Sequence, residues 1–349
     1  MTKEETTIIK GIAILMMLFH HLFNGQILDL RPDLLSEPYE PLFYIGDVSV
    51  EYIITRFCRP VPFFFILSGY GISYLHNHES HETYRTLKRL LRIFSAYWIS
   101  TLLFVGLGHL IGNENYPGDS IKLIANLTSY SNSYNLSMWF LFPYTLICLS
   151  SPIFLRLTKR KKSYIIAFIV TGLLYGLTGY IIKTHINEIG YGSVLGHLLQ
   201  FLQYYFPFTC GVLLQKTALL QHPRMKVFEQ HTLLTATLLI IVILIKSLIN
   251  SQAVDTLYAI AFIFLFIKLP IHKTVTKLLS FIGKYSMVMW MVHMYLSHYF
   301  FTDFIYASRS SIIIFPVLVV SSFIISLIIT HANNELIGRI TDNTQVNKS

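Results

Sequence analysis

Between Ile312 and Ile329 the chain runs for 18 residues without a charge. A stretch of that length reads as a helix that crosses a bilayer. Only a helix keeps every backbone amide bonded inside the segment while its apolar side chains face lipid. Similar apolar stretches of 16 to 22 residues recur along the sequence, and each reads the same way. The 349 residues are 53% hydrophobic and only 13% charged, with a mean hydropathy of +0.54. A water-soluble chain of this length would instead show two domains of alternating amphipathic pattern.

The reading is an all-α polytopic membrane protein with about ten transmembrane helices. The spans are expected near 8–28, 57–75, 93–111, 138–155, 164–182, 193–214, 231–249, 253–268, 285–302 and 311–331. Of the 27 basic residues, 20 fall in one alternating set of loops and 7 in the other. This bias places both the N- and C-termini in the cytoplasm. It also accounts for the net charge of +9 as an orientation signal with attraction to membrane lipids, so no nucleic acid partner is expected. The first stretch lacks the small-residue cleavage site of a signal peptide and is kept as a helix. Residues 1–335 are expected to form one integral-membrane domain and 336–349 a short cytoplasmic tail. Cys58, Cys148 and Cys210 have no paired spacing, which argues against a disulfide framework or a metal site. Two long external loops are expected. Residues 29–56 carry Asp29, Asp33, Glu37, Glu40, Asp47 and Glu51, and 112–137 are rich in Asn, Ser and Tyr. Such loops suit a carbohydrate or a cationic ligand, and solvated loops look the same.

Ionisable side chains inside apolar helices are costly and so point to function. Lys10 and His21 are 11 residues apart, about 20° past three full turns, and share one helix face. His20 falls about 80° off that line. The rise from Lys10 to His21 is roughly 16 Å, which puts an imidazole near mid-bilayer. Imidazole is a natural base for an alcohol near neutral pH, and Lys10 suits a phosphate or a developing oxyanion. Adjacent His20 and His21 point too far apart for one metal ion, and no metal is expected. In Pro60-Val-Pro-Phe-Phe-Phe-Ile-Leu-Ser68-Gly69, Ser68 either packs or touches substrate. Arg89 and Arg92 share a face beside Lys88. The three either bind phosphate or anchor the helix at the cytoplasmic surface. Ser286 and His293, seven apart, align on another helix and bring in a second buried histidine. Trp139 reads as an interfacial anchor or a substrate contact. His109, His197, His298 and His331 read as structural.

These segments, in this order, resemble the membrane acyltransferase family 3, the bacterial O-acetyltransferases that act on cell-surface sugars. The family's arginine, ten residues, then histidine corresponds to Lys10 and His21. Its Phe-Phe-x-x-Ser-Gly element matches Phe64 to Gly69, its Arg-x-x-Arg matches Arg89 and Arg92, and its Trp-Phe-Leu matches Trp139 to Leu141. The late Gly-x-x-Ser, aromatic and His element matches Gly283, Ser286, Trp290 and His293. Lys10 departs from the usual arginine and loses its two-pronged contact. Thr7 stands where an aspartate often precedes that arginine. Phe94-Ser95 stands where a proline often follows Arg-x-x-Arg. With no extracellular hydrolase-like domain expected after the last helix, the resemblance favours a stand-alone enzyme.

The resemblance implies an acyl-CoA donor, most often acetyl-CoA, bound from the cytoplasm through Arg89, Arg92, Lys88 and Lys10. The acceptor it implies is a hydroxyl of a surface or lipid-linked glycan. His21 then acts as base or acyl relay, Lys10 assists it, and Ser68, Trp139, Ser286 and His293 contact substrate. The bacterial plasma membrane is the implied location, with polysaccharide-assembly proteins as partners. Two other classes share the helices and basic loops: a transporter or flippase for a glycan or lipid precursor, and a non-catalytic scaffold of an export complex. Related halves, common in transporters, are absent here.

Overall fold

The computed structural model describes residues 1–25, 39–78 and 82–346. About 82% of the chain is helical and strands are almost absent among the described residues, so the all-α class holds. The chain opens with α1 (Lys3–Phe23), which starts at a capping box: Thr2 accepts from the Glu5 amide and the Glu5 carboxylate accepts from the Thr2 amide. Both orphan donors at that end are thereby satisfied. A two-residue hairpin, β1 (Tyr44–Ile45) and β2 (Val48–Ser49), turns through Gly46 at φ +60°. Then come α2 (Val50–Phe57), α3 (Val61–His78), α4 (Glu82–Leu110), α5 (Ser120–Leu127), α6 (Leu141–Leu157), α7 (Lys161–Ile189) and α8 (Val194–Lys216). The chain ends with α9 (Thr232–Leu248), α10 (Asp255–Phe266), α11 (Lys273–Met294), α12 (Thr302–Tyr306) and α13 (Ser311–Val346).

Among the described residues, five helical segments are long and apolar enough to cross a membrane: Lys3–Phe23, Thr83–Leu110, Leu136–Leu157, Lys161–Ile189 and Ser311–Arg339. A sixth arises if Pro223–Gln230 and Thr232–Leu248, bent by 93°, form one span. The other expected spans, α3, α8, α10 and α11, are helical but fall outside this group, the last three for a visible physical reason. α10 is only 12 residues long. α8 carries His197, Gln200 and Gln203, all buried against neighbours. α11 begins at Lys273, 12 residues before the expected start at 285, because Lys273, Lys277 and Lys284 break the apolar run. Apolar side chains exposed on α7, α9 and α13, such as Ile166, Leu173, Leu244, Ile324 and Ile328, face outward as lipid-facing residues do.

The central pair is α1 and α11. A Cβ added at Gly11 would collide with the Leu279 carbonyl, and one at Gly283 with the Thr7 carbonyl, so only glycine allows the two backbones this close. Gly11 meets Gly283, and His21 meets His293. The register advances by ten residues on both helices, so they run parallel. α3 and α8 repeat the device with Gly69 against the Phe208 carbonyl and Gly211 against Ile66. α1 and α3 run antiparallel: the Met1 amine donates to Tyr70 Oη (2.5 Å), while His20 bonds the Thr55 carbonyl.

In the two long segments expected as external loops, Glu40 and Asp47 are exposed, as in a solvated loop, whereas other polar residues are built into the fold. Glu51 is 1% exposed and accepts from the Leu42 amide (2.9 Å) and Ser311 Oγ (2.7 Å). It ties the hairpin to α13. Asp29, Asp33 and Glu37 lie outside the described residues. Within 112–137, Asn126 is enclosed and bonds Ser133 and the Tyr134 amide, and Tyr134 donates to the Pro117 carbonyl. Much of this segment's polar content therefore holds the segment together.

Candidate active site

A cavity of about 320 Å³ opens among α1, α3, α4, α6 and α11. Its cationic side chains are Lys10, Arg89 and Arg92, joined by Ser68, Tyr144 and Ser286. Five of the residues expected at the site are thus gathered around one space: Lys10, Ser68, Arg89, Arg92 and Ser286. They come from four different helices, so no single segment could have placed them. Lys88 points to solvent, and Trp139 packs half-buried against Tyr204, ring centroids 5.3 Å apart. Neither lines the cavity.

Arg89 is fixed by local bonds. Its Nη2 donates to Ser68 Oγ (3.0 Å), and its guanidinium lies 5.8 Å from the Tyr144 ring centre. Ser68 Oγ is also 3.3 Å from Tyr144 Oη. The remaining guanidinium donors have no carboxylate partner among the described residues, which leaves the planar fork available for an anionic group. Ser95, at the position of the family's common proline, donates to Asn333 Oδ1 (2.5 Å), and Asn333 Nδ2 donates to the Arg92 carbonyl (3.2 Å). This clamp joins α4 to α13 beside Arg92.

The inner end of the cavity is aromatic. Phe140 and Trp290 stand with ring centroids 3.9 Å apart, and Trp290 Nε1 donates to the Ser137 carbonyl (3.0 Å). Trp290 is the cavity residue furthest along α11, three residues and about 4.5 Å of rise before His293. His21 and His293 do not line the cavity. Counted along α11, the pair stands one helical turn beyond it.

In that pair, His21 Nδ1 lies 2.5 Å from His293 Nε2, and His293 Nδ1 lies 2.7 Å from the Trp290 carbonyl. The two rings are inclined by only 3°, with centroids 4.8 Å apart. That separation belongs to two rings joined edge to edge along the N···N line. His293 is 0% exposed, whereas His21 is half-buried. The reachable imidazole of the pair is therefore His21. His20 is occupied on both sides: its Nδ1 donates to the Thr55 carbonyl (3.0 Å) and its Nε2 accepts from Asn24 Nδ2 (2.8 Å). It acts as a structural tie between α1 and α2.

Among the described residues, no group of three or more His, Cys, Asp or Glu side chains could hold a metal ion. Tyr144 and Thr6 also line the cavity, although nothing in their local sequence marks them, and Phe140 lines it too. Phe140 does sit within the Trp-Phe-Leu element, one residue from the expected Trp139.

The family model for an acyltransferase domain matches residues 5–331, nearly the whole chain. The chain belongs to acyltransferase family 3. No curated protein and no solved structure matches it. The match extends across both the cationic cavity and the histidine pair, so the site described here lies within a membrane acyltransferase domain.

Proposed function

We propose that this acyltransferase moves an acetyl group from cytoplasmic acetyl-CoA to a hydroxyl of a surface or lipid-linked polysaccharide in the plasma membrane of a bacterium. One observation carries the reading. A cavity with three cations ends, along α11, one helical turn short of His293, which bonds the half-buried His21, and the parallel helices α1 and α11 contribute to both. Arg89, Arg92 and Lys10 suit the phosphates of CoA. The Phe140–Trp290 stack at the inner end favours a short acyl group. His21 serves the acceptor hydroxyl, either as its base or as a transient acyl carrier. In the base mode the hydroxyl oxygen bonds the thioester carbon, its proton passes to His21, and the C–S bond breaks. The departing thiolate then takes that proton.

Ten alternating spans with both termini in the cytoplasm accompany this reading. The helix directions support it: α1 and α11 would be the first and ninth spans, α3 and α8 the second and sixth, and each pair runs parallel as that alternation requires. Labelled acetyl-CoA supplied to membranes containing the protein tests the activity, with transfer to polysaccharide as the readout. Deleting the gene separates the other classes. Loss of glycan O-acetyl groups with export intact supports the transferase, whereas blocked export supports a flippase or a scaffold.

A further inference from the structure

We propose that His293 is a positioning residue that holds His21 in a single tautomer and leaves its Nε2 as the reactive nitrogen. The inference rests on the acyl-transfer reading above and deepens it. The geometry sets the proton positions in order. A carbonyl oxygen only accepts, so His293 Nδ1 carries a hydrogen and donates to Trp290. His293 is fully enclosed, and among the described residues no carboxylate pairs with it. An uncompensated buried charge is costly, so the ring is neutral and its Nε2 is a lone-pair acceptor. The 2.5 Å contact then requires the hydrogen on His21 Nδ1. A neutral His21 with Nδ1 protonated carries its lone pair on Nε2.

Two further features hold this arrangement. The near-coplanar rings give the His21 hydrogen a straight path to its acceptor. Ser297 Oγ donates to the His293 carbonyl (3.0 Å), and Asn135 Nδ2 donates to the Met291 carbonyl (2.9 Å), so the backbone around His293 is tied on two sides. When His21 Nε2 takes the hydroxyl proton, or bonds the acyl carbon, positive charge spreads over the ring. His293 Nε2 faces the Nδ1–H that shares this charge. A buried acceptor in this position both selects the tautomer and stabilises the cation, the two roles a carboxylate plays behind a catalytic histidine.

The test uses the full-length protein in membranes with labelled acetyl-CoA. In His293→Leu, kcat falls about 10²–10⁴-fold, while KM for acetyl-CoA holds at its wild-type value because His293 lies outside the cavity. In His293→Gln, whose Oε1 can accept from His21, at least a tenfold share of that loss returns. Equal kcat in wild type and His293→Leu, or equal loss in Leu and Gln at matched protein level, overturns the proposal. A second measurement does not depend on how any His293 variant folds. In wild-type protein with 15N-labelled histidine, the His21 resonances, assigned by their loss in His21→Ala, report the hydrogen on Nδ1. A hydrogen on Nε2 overturns the proposal. Wild-type membranes that transfer no acetyl overturn the reading beneath it, and the tautomer measurement then stands as its own test.

Discussion

The glycine crossing of α1 and α11 makes a sharp prediction about catalysis at the histidine pair. A Cβ added at Gly283 would lie 2.9 Å from the Thr7 carbonyl carbon and closer still to its oxygen. Comfortable carbon contact is roughly 3.5–4.0 Å, so the helices must part by about 1 Å. Carried to the histidines, that shift stretches the 2.5 Å contact to about 3.5 Å, the limit of a hydrogen bond. A misplacement of about 1 Å can cost on the order of 10²-fold in rate. Gly283→Ala should therefore lower kcat about a hundredfold, with KM for acetyl-CoA changing much less. Gly176→Ala, where an added Cβ meets nothing within 4 Å, is the matched control. The assay is acetyl transfer in membranes normalised to protein level. Wild-type kcat in Gly283→Ala would refute the coupling between the crossing and the histidine pair.

Three further outcomes follow from the same geometry. Lys10→Ala should raise KM for acetyl-CoA about ten- to a hundredfold, the worth of a hydrogen bond to a charged group. Lys10→Arg should hold near wild type, and equal activity in both variants would reduce Lys10 to a membrane anchor. Trp290→Leu should open the inner end of the cavity and raise the ratio of butyryl- to acetyl-CoA use at least tenfold, the scale of a few methylenes in an apolar pocket. An unchanged ratio would move the acyl group elsewhere. Away from the site, Lys246 is 2% exposed and lies 2.9 Å from Asp255, which Arg59 also approaches at 3.9 Å. Removing one partner of such a buried pair costs about 3–5 kcal/mol, so Lys246→Met should lower the Tm of the purified protein, and Asp255→Asn alongside should recover part of the loss.

The sequence carries the helical class because apolar runs are local. It also carries the shared face of Lys10 and His21, since two positions on one helix have a fixed angle between them. The gathering of Arg89, Ser68 and Lys10 around a cavity came only through the family's motif order. Those residues lie on three helices whose packing no local pattern encodes. Tyr144 could not be singled out, because an aromatic residue in an apolar helix looks the same whether it faces lipid, core or cavity. Trp139, which reads as an interfacial anchor or a substrate contact, packs on Tyr204, one position from Phe140, which lines the cavity. α11 begins 12 residues before the expected span at 285 because its lysines interrupt the apolar run while its backbone stays helical. Glu51 falls in a segment that suits either a ligand-binding or a solvated loop, and its two bonds, one to a residue 260 positions away, explain its burial. The hydrogen bond between His21 and His293, 272 residues apart, had no signature beyond two isolated histidines.

The central claim is that His21, and not the neighbouring His20, serves the acceptor hydroxyl. The most direct test compares acetyl transfer from labelled acetyl-CoA in membranes bearing wild type, His21→Ala and His20→Ala, each at matched protein level. The account predicts that His21→Ala loses transfer to background, while His20→Ala keeps the activity of whatever protein folds. Full transfer in His21→Ala would contradict it.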